Sequence, residues 1–562
     1  MALSRRARVG LALGVVAVGA VVVALAVVLA RPRCAPPRYR HAAVAADTRL
    51  CSDVGRDLLK EGGSAVDAAI AALICTSVLN PQSMGLGGGV IFTIYSASTG
   101  KVEVINAREK APRGIKGDLL DQCRDRFQPG TEWIAVPGEL RGYEEAHKRY
   151  GRLPWKALFE PTIKMLSPGV QVPEVLSRFL QHPQLQAALN HTSLRGLFSK
   201  PDGRILGAGD TLHWPALAET LRAVAENGPN EFYQGKTANK LVQDVHAQGG
   251  TLTLEDLRSY SVEVVKPMAA SLRGYTLYSA PRPAAGPILA FILKVLEGFN
   301  FTQESLSTPQ RMGEAYHYIA EALKFANGQK PKVDDPKFSE IKEDVLNELL
   351  SDFFAGQARQ RIDGRGDHLA DYYNLTQLAM APYGTSHVAV LVEDGSAVSA
   401  TSTINHPFGS MVYSQQTGVI LNNELADFCM KQSSRKISPG EMPPSSMVPS
   451  ILISRDGQSK LVMGGSGGQL IVPAVALALA NKLWFGLELD RAIQAPILFA
   501  TQSGSLEVEK NFPPDMVEAL LERGHRVSVA RLALNVVQGV AQEGACLFPY
   551  SDQRKKGEAS GY

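Results

Sequence analysis

The amino-acid sequence predicts a mixed α+β body of several layers, and three stretches carry that prediction. The first is a β-hairpin. Gly384 to Thr403 reads GTSHVAVLVEDGSAVSATST, two β-prone runs divided by Asp394-Gly395, the strongest short-range hairpin signal a sequence offers. The second is an alanine-rich helix, AAIAALIC, entered through Ser64-Ala65-Val66-Asp67, which has the form of a capping box. The third, KLVMGGSGGQLIVPAVALALANKLW, reads as strand, glycine turn and helix. With 562 residues, 45% hydrophobic and 20% charged, the chain can bury a large core, as several domains or one multilayer unit. A formal charge of +3 without a concentrated basic block argues against nucleic acid as a partner.

Taken in order, the chain opens on an apolar run. Val9 to Ala30 carries no charge and would span roughly 33 Å as a helix, enough for the hydrocarbon layer. A cleavable signal peptide is the rival, with Ala24-Leu25-Ala26 as its small-x-small site, but the run is longer than a signal-peptide core. The expected layout is a cytoplasmic tail (1–8), a signal anchor (9–30) and an Arg/Pro-rich stalk (31–41) before the body. Arginines flank the run on both sides, so charge alone does not orient it. Sequons at Asn190, Asn300 and Asn374 suit an extracellular body and thus a single-pass type II protein of the cell membrane. Six cysteines are too few for a disulfide scaffold. Cys51 and Cys75 bracket a helix-like segment and could pair; Cys34, Cys123, Cys429 and Cys546 read as buried thiols or one further bridge. None has metal-ligand spacing, so no metal is expected.

In the body, the glycines of NPQSMGLGGGVIFTIY precede a strand, whereas a phosphate-binding loop follows one. A second strand, VEVINARE, ends at Arg108, whose side chain could leave the sheet edge. Residues 136–151 and 314–327 have helical periodicity. Arg365-Gly366-Asp367 is an integrin-type tripeptide or simply a solvated loop. Beyond the hairpin, GVILNNELADF sets Glu424 and Asp427 three apart, either a charged helix start or a carboxylate pair for a cationic group. A polar loop, 431–441, leads to Pro443-Pro444-Ser445-Ser446. Gly464-Gly465-Ser466-Gly467-Gly468 satisfies the G-x-S-x-G pattern of a nucleophile elbow, with Asp490 and His525 as downstream partners in the right order. Their spacing is cramped for an α/β-hydrolase. The same glycines, at a helix start, could instead aim backbone N–H groups at an oxyanion.

The hairpin carries the other chemistry. With Asp394 and Gly395 as the two central turn residues, Thr385 faces Ile404 and Thr403 faces Ser386, so the two threonine hydroxyls lie about one residue apart, and a bulge would permit contact. A chain cut after Gly384 would free the α-amine of Thr385. That amine, with a pKa of about 7.7–8, can take the proton of its own residue's hydroxyl.

These residues together resemble the gamma-glutamyltransferases (glutathione hydrolases): NPQSMGLGGG, VINARE, GTSH, EDGSAV, ATSTIN, FGS, GVILNNE, PPSSM, the double glycine and the ending GEASGY, from about Ala42 onward. Ser83-Met84-Gly85-Leu86, Asn405-His406-Pro407-Phe408 and Ser446-Met447-Val448-Pro449-Ser450 look most like the type-five, leukotriene-C4-hydrolysing branch. The resemblance implies a four-layer αββα sandwich of the N-terminal-nucleophile hydrolase class, made as a precursor that cuts itself between Gly384 and Thr385 into a large (42–384) and a small (385–562) subunit forming a heterodimer. It implies Thr385 as nucleophile, Thr403 as its orienting hydroxyl, and Gly467 and Gly468 as the oxyanion hole. It implies Arg108, Ser445 and Ser446 on the substrate α-carboxylate, with Asn405, Glu424 and Asp427 on its α-amino group. A guanidinium at one end and carboxylates at the other suit a zwitterionic γ-glutamyl group. The implied substrates are glutathione, its S-conjugates and leukotriene C4, with water, amino acids or dipeptides as acceptors and no cofactor. Against this stand a Ser466 hydrolase and a catalytically silent adhesion protein acting through Arg365-Gly366-Asp367.

Overall fold

The computed structural model describes residues 34–123, 129–375, 384–430, 436–530 and 536–562. The apolar run 9–30 lies outside them; among the described residues no helix is long and apolar enough to cross a membrane. Two antiparallel sheets form the centre. The first runs, edge to edge, Ala559–Gly561, Ala42–Ala45, Ser386–Val392, Ala397–Thr403, Gly89–Ser96, Lys101–Ala107 and Glu263–Val265. The second runs Cys546–Ser551, Val536–Glu543, Lys460–Ser466, Ser450–Ser454, Tyr275–Ser279 and Met268–Leu272. Each sheet therefore takes strands from both sides of Gly384.

The layering follows from the period-2 alternation of strand side chains. In Ser386–Val392, Val388 and Val390 join a core with the helices Arg49–Lys60, Ala65–Leu79 and Glu139–Tyr150. Ala389 and Leu391 turn the other way, meeting Ile451, Val462 and Val540 of the second sheet. The outer face of that sheet is covered by Gly286–Glu297, Pro309–Asn327 and Ile471–Leu483 through a separate core that includes Leu277, Leu452, Met463 and Val537. The result is helix, sheet, sheet, helix.

Most local expectations stand, because short-range chemistry fixes them. Ala65–Leu79 is helical with every residue buried, which is why it is rich in alanine. Its Ser64–Asp67 capping box is present in both directions. The glycine run feeds the strand Gly89–Ser96, and VEVINARE ends as a strand at Ala107, leaving Arg108 at its exit. Two expectations need correction. Hairpin partners sum to 788, not 789: Ala397 pairs with Leu391 and Ser402 with Ser386. The loop has three residues, Glu393-Asp394-Gly395, closed by Gly395 N–H to Val392 O (2.8 Å) and Val392 N–H to Ser396 O (3.1 Å), with Gly395 at φ +87°. The one-residue shift sets Thr403 opposite Thr385 without a bulge. The cysteines form three bridges, not two at most: Cys51–Cys75 as expected, and also Cys34–Cys546 and Cys123–Cys429.

Glu139 begins the helix Glu139–Tyr150 fully buried, accepting from Ser402 Oγ at 2.8 and 2.9 Å and from the Tyr143 hydroxyl. Burial pushes its carboxyl up to about 8. The folded state therefore keeps a proton that the unfolded chain loses near pH 4.5, so this group withdraws stability as pH rises from about 4.5 to 8. Glu139→Gln should flatten the fall in melting temperature between pH 5 and pH 8; an unchanged slope in thermal scans at the two pH values would contradict this.

Candidate active site

Thr385 lies just before the strand Ser386–Val392 and Thr403 ends the strand Ala397–Thr403, so the hairpin register brings them together. Their hydroxyl oxygens are 3.4 Å apart. Both hydroxyls also donate toward the carbonyl of Gly384, Thr403 at 2.8 Å. Gly384 is the residue this crowding permits: a Cβ there would sit 2.5 Å from the Asn405 carbonyl. Behind the pair, Lys555 Nζ donates to the Thr385 carbonyl (2.6 Å) and to Asp47 (3.0 Å), and Asp47 also accepts from Ser386 Oγ (2.7 Å). These groups are buried, so the threonine backbone is fixed by a hydrogen-bonded ion pair.

In front lies a cleft lined by Thr385, Thr403, Gly384, Arg108, Asn405, Glu424, Asp427, Ser445, Ser446 and Gly468. Of the residues the sequence singled out for the reaction, Gly467 alone does not line it; it sits directly behind Gly468 at the end of the strand Lys460–Ser466. Both glycines have positive φ (124° and 58°), a backbone shape that other residues resist, and they lead into Ile471–Leu483. Asn405 also takes positive φ (72°), which asparagine tolerates; its amide reaches the Asn423 carbonyl (3.1 Å) and Asp427.

The charged end of the cleft is more tightly knit than two separate subsites. Arg108, 1% exposed, donates to Glu424, to Asp427 (2.7 Å) and to the carbonyls of Pro443 (3.2 Å) and Pro444 (2.9 Å). Burial opposes its charge, but Glu424, Glu109 and Asp427 together outweigh that and hold the guanidinium above its ordinary range. Burial lifts the carboxyls of Glu424 and Asp427, with Arg108 pulling both back down. Glu109, beside Arg108 at 3.6 Å, is pushed up to about 8 by burial. Several acids thus surround one cation, and burial and the shared guanidinium push their proton affinities in opposite directions.

The rival sites come apart. Ser466 is buried within a sheet strand paired to Val536, while both ring nitrogens of His525 are taken, by His317 (2.8 Å) and Lys324 (3.0 Å). No elbow and triad form. In the tripeptide loop, Arg365 pairs with Asp367 (3.0 Å), and the buried Gly366 is fixed by its N–H to Arg523 O (2.6 Å) and its carbonyl from Lys324 (2.7 Å). His317, Glu321 and His525 offer ligand atoms within 4.8 Å of one another, with the Lys324 ammonium among them. Asn190, Asn300 and Asn374 are exposed. Of the loop 431–441, residues 431–435 lie outside the described set; Gly440 and Glu441 exchange backbone hydrogen bonds with Ala111. Sequence reasoning missed Lys555 and Asp47, which lie 508 residues apart, so no spacing could have joined them. It also missed Met447, Gln469 and Ile471 on the cleft wall, and the carbonyls of Pro443 and Pro444 as acceptors for Arg108.

A family model described as Gamma-glutamyltranspeptidase matches residues 51–562. The chain is 52% identical over 573 residues to the Glutathione hydrolase 5 proenzyme of Rattus norvegicus, covering 100% of both chains. Among solved structures, cephalosporin acylase from Bacillus halodurans superposes with TM-score 0.83 at 26% identity, over 95% of this chain and 97% of that one. The gamma-glutamyltranspeptidase of Helicobacter pylori does so with TM-score 0.51 at 28% identity, over 56% of this chain and 90% of that one.

Removing the cation should expose the cost of the acids around it. Arg108→Met leaves Glu424 and Asp427 buried without their partner and should cost about 3–5 kcal/mol of stability, read as a lower midpoint in denaturant unfolding. Arg108→Lys, a point charge without the guanidinium fork, should fall between. A methionine variant as stable as the parent would contradict the cluster's role.

Proposed function

Because the chain belongs to the gamma-glutamyltranspeptidase family, we propose that it cleaves the γ-glutamyl bond of glutathione through a threonine freed at its own amino terminus. The observation that carries this reading is the stack of Thr385 hydroxyl, Gly384 carbonyl and Thr403 hydroxyl at the head of a cleft whose far end holds Arg108, Glu424 and Asp427. In the first step the Thr385 hydroxyl attacks the Gly384 carbonyl, moving that acyl group from nitrogen to oxygen, and Thr403 polarises the carbonyl. Water then hydrolyses the ester, freeing residues 385–562 as the small subunit from the large one, whose body is residues 42–384. The freed α-amine is the base that the uncut chain lacks. This assigns the chain to the N-terminal-nucleophile class, a reading supported by the layered fold and by its likeness to the acylase.

In the catalytic step the zwitterionic head of the substrate takes the place of the Arg108–acid contacts. Its carboxylate turns to Arg108, Ser445 and Ser446, and its ammonium to Glu424, Asp427 and Asn405. Each buried charge exchanges one partner for another of the same sign, so none is left unpaired. Thr385 attacks the γ-carbonyl, the N–H groups of Gly467 and Gly468 receive the oxyanion, and the amine leaves protonated. Water, an amino acid or a dipeptide then takes the γ-glutamyl group from Thr385. Activity needs the neutral amine, so it should fall as pH drops below the pKa of that group, about 7.7–8 when unperturbed.

Turnover of glutathione S-conjugates, including leukotriene C4 to leukotriene D4, follows from the likeness of the 83–86, 405–408 and 446–450 motifs to the type-five branch, of which Asn405, Ser446 and Met447 line the cleft. A kcat/KM for leukotriene C4 far below that for glutathione would refute it. A type II anchor at 9–30 predicts surface biotinylation of intact cells and soluble activity after deletion of that run. Glycans at the three sequons predict a mobility shift with endoglycosidase.

Thr385→Ala should give one uncut chain that releases no amine from a chromogenic γ-glutamyl amide, whereas Thr385→Ser should still be cut. Thr403→Ala should slow both processing and turnover, by about a hundredfold if its hydroxyl acts on developing charge. Full activity of Thr385→Ala in that assay would end this reading.

A further inference from the structure

Two of the three disulfides join residues on opposite sides of the Gly384–Thr385 bond: Cys34–Cys546 and Cys123–Cys429. They sit in different surroundings. Cys546 begins the edge strand Cys546–Ser551, to which Tyr39 bridges at Leu547, and Arg38 pairs with Glu543 (3.0 Å) at the end of the adjacent strand. None of these residues lines the cleft.

Cys429 belongs to the short 3-10 turn Glu424–Met430, which carries both acids that grip Arg108. That turn rests on a small apolar cluster separate from the main cores. Leu425, Ala426 and Phe428 pack there against Ala111, Leu119 and Trp133, with Cys123 and Cys429 at the margin. The turn buries Leu425, Ala426 and Phe428 in that cluster, while Cys429, near the end of the turn, is tied by its bridge to Cys123. Glu424 and Asp427 must meet Arg108, which comes from the other side of the cut. The bridge adds a covalent tie to this packing, joining the end of the turn that carries both acids to the segment that leads away from Arg108 on the other side of the cut.

We propose that Cys123–Cys429 is a positioning element for substrate binding: it seats the Glu424–Met430 turn so that the two acids hold the α-amino group of the γ-glutamyl substrate, and it makes the mature enzyme a covalent heterodimer. This rests on the self-cleaving reading above. Cys34–Cys546 adds a second covalent link but no such role.

Gels and kinetics test the proposal together. Purified enzyme should run as one band without reductant and two with it. Two bands without reductant would overturn the covalent link while leaving the cut intact, and one band under both conditions would remove the cut and this proposal with it. The Cys123→Ala/Cys429→Ala double variant should show a KM for a γ-glutamyl amide raised about tenfold, since small misplacements of binding groups are costly. Its kcat should stay within about twofold, as should both constants of Cys34→Ala/Cys546→Ala. A Cys123→Ala/Cys429→Ala enzyme with normal KM overturns the proposal, whatever its yield. Should that variant fail to fold, Cys34→Ala/Cys546→Ala is reduced stepwise with a phosphine, and aliquots are alkylated to map the thiols. KM should climb in step with alkylation at Cys429; KM unmoved at full alkylation would refute the positioning role.

Discussion

One pairing register governs the rest of this molecule. Strands Ser386–Val392 and Ala397–Thr403 meet around a three-residue loop, and that register sets Thr403 opposite Thr385 and not one step away. A slip of one residue would turn Val388 and Val390 out of the helix-facing core and bring Ala389 and Leu391 into it. Burial on both faces thus locks the register, and the register delivers two hydroxyls to one carbonyl. The chemistry is a by-product of packing that the fold cannot give up.

The second constraint is electrostatic. Arg108 exits the strand Lys101–Ala107, while Glu424 and Asp427 come from beyond the hairpin, so the charged end of the cleft exists only when both halves are docked. Lys555 with Asp47 repeats the pattern behind Thr385. Ion pairs of this kind contribute little net stability, because the desolvation they suffer offsets most of their attraction. Their value here lies in geometry: each fixes a group of one half against a group of the other.

What the sequence made legible was local. A capping box, an alanine-rich helix and a hairpin at Asp394-Gly395 are written in neighbouring residues; the first two stand, and the hairpin stands with a longer loop. The register was read one residue out because Asp394-Gly395 fits a two-residue turn as well as the end of a longer one; only the bulk of the sheet decides. The cleft residues were assembled through a family resemblance, and the cleft gathers nearly all of them. Their mutual contacts were not legible: the resemblance puts Arg108 and the two acids at opposite ends of a ligand, and they bind one another. Nor could spacing join Cys34 to Cys546 across 512 positions, or take His525 from a notional triad into a buried contact with His317.

The most direct test of the central claim is mass spectrometry of enzyme quenched in acid during turnover of a γ-glutamyl amide. The account expects a peptide whose first residue is Thr385, heavier by one γ-glutamyl group borne on that threonine. A γ-glutamyl group found on Ser466, or on Thr385 within an unbroken chain, would contradict it.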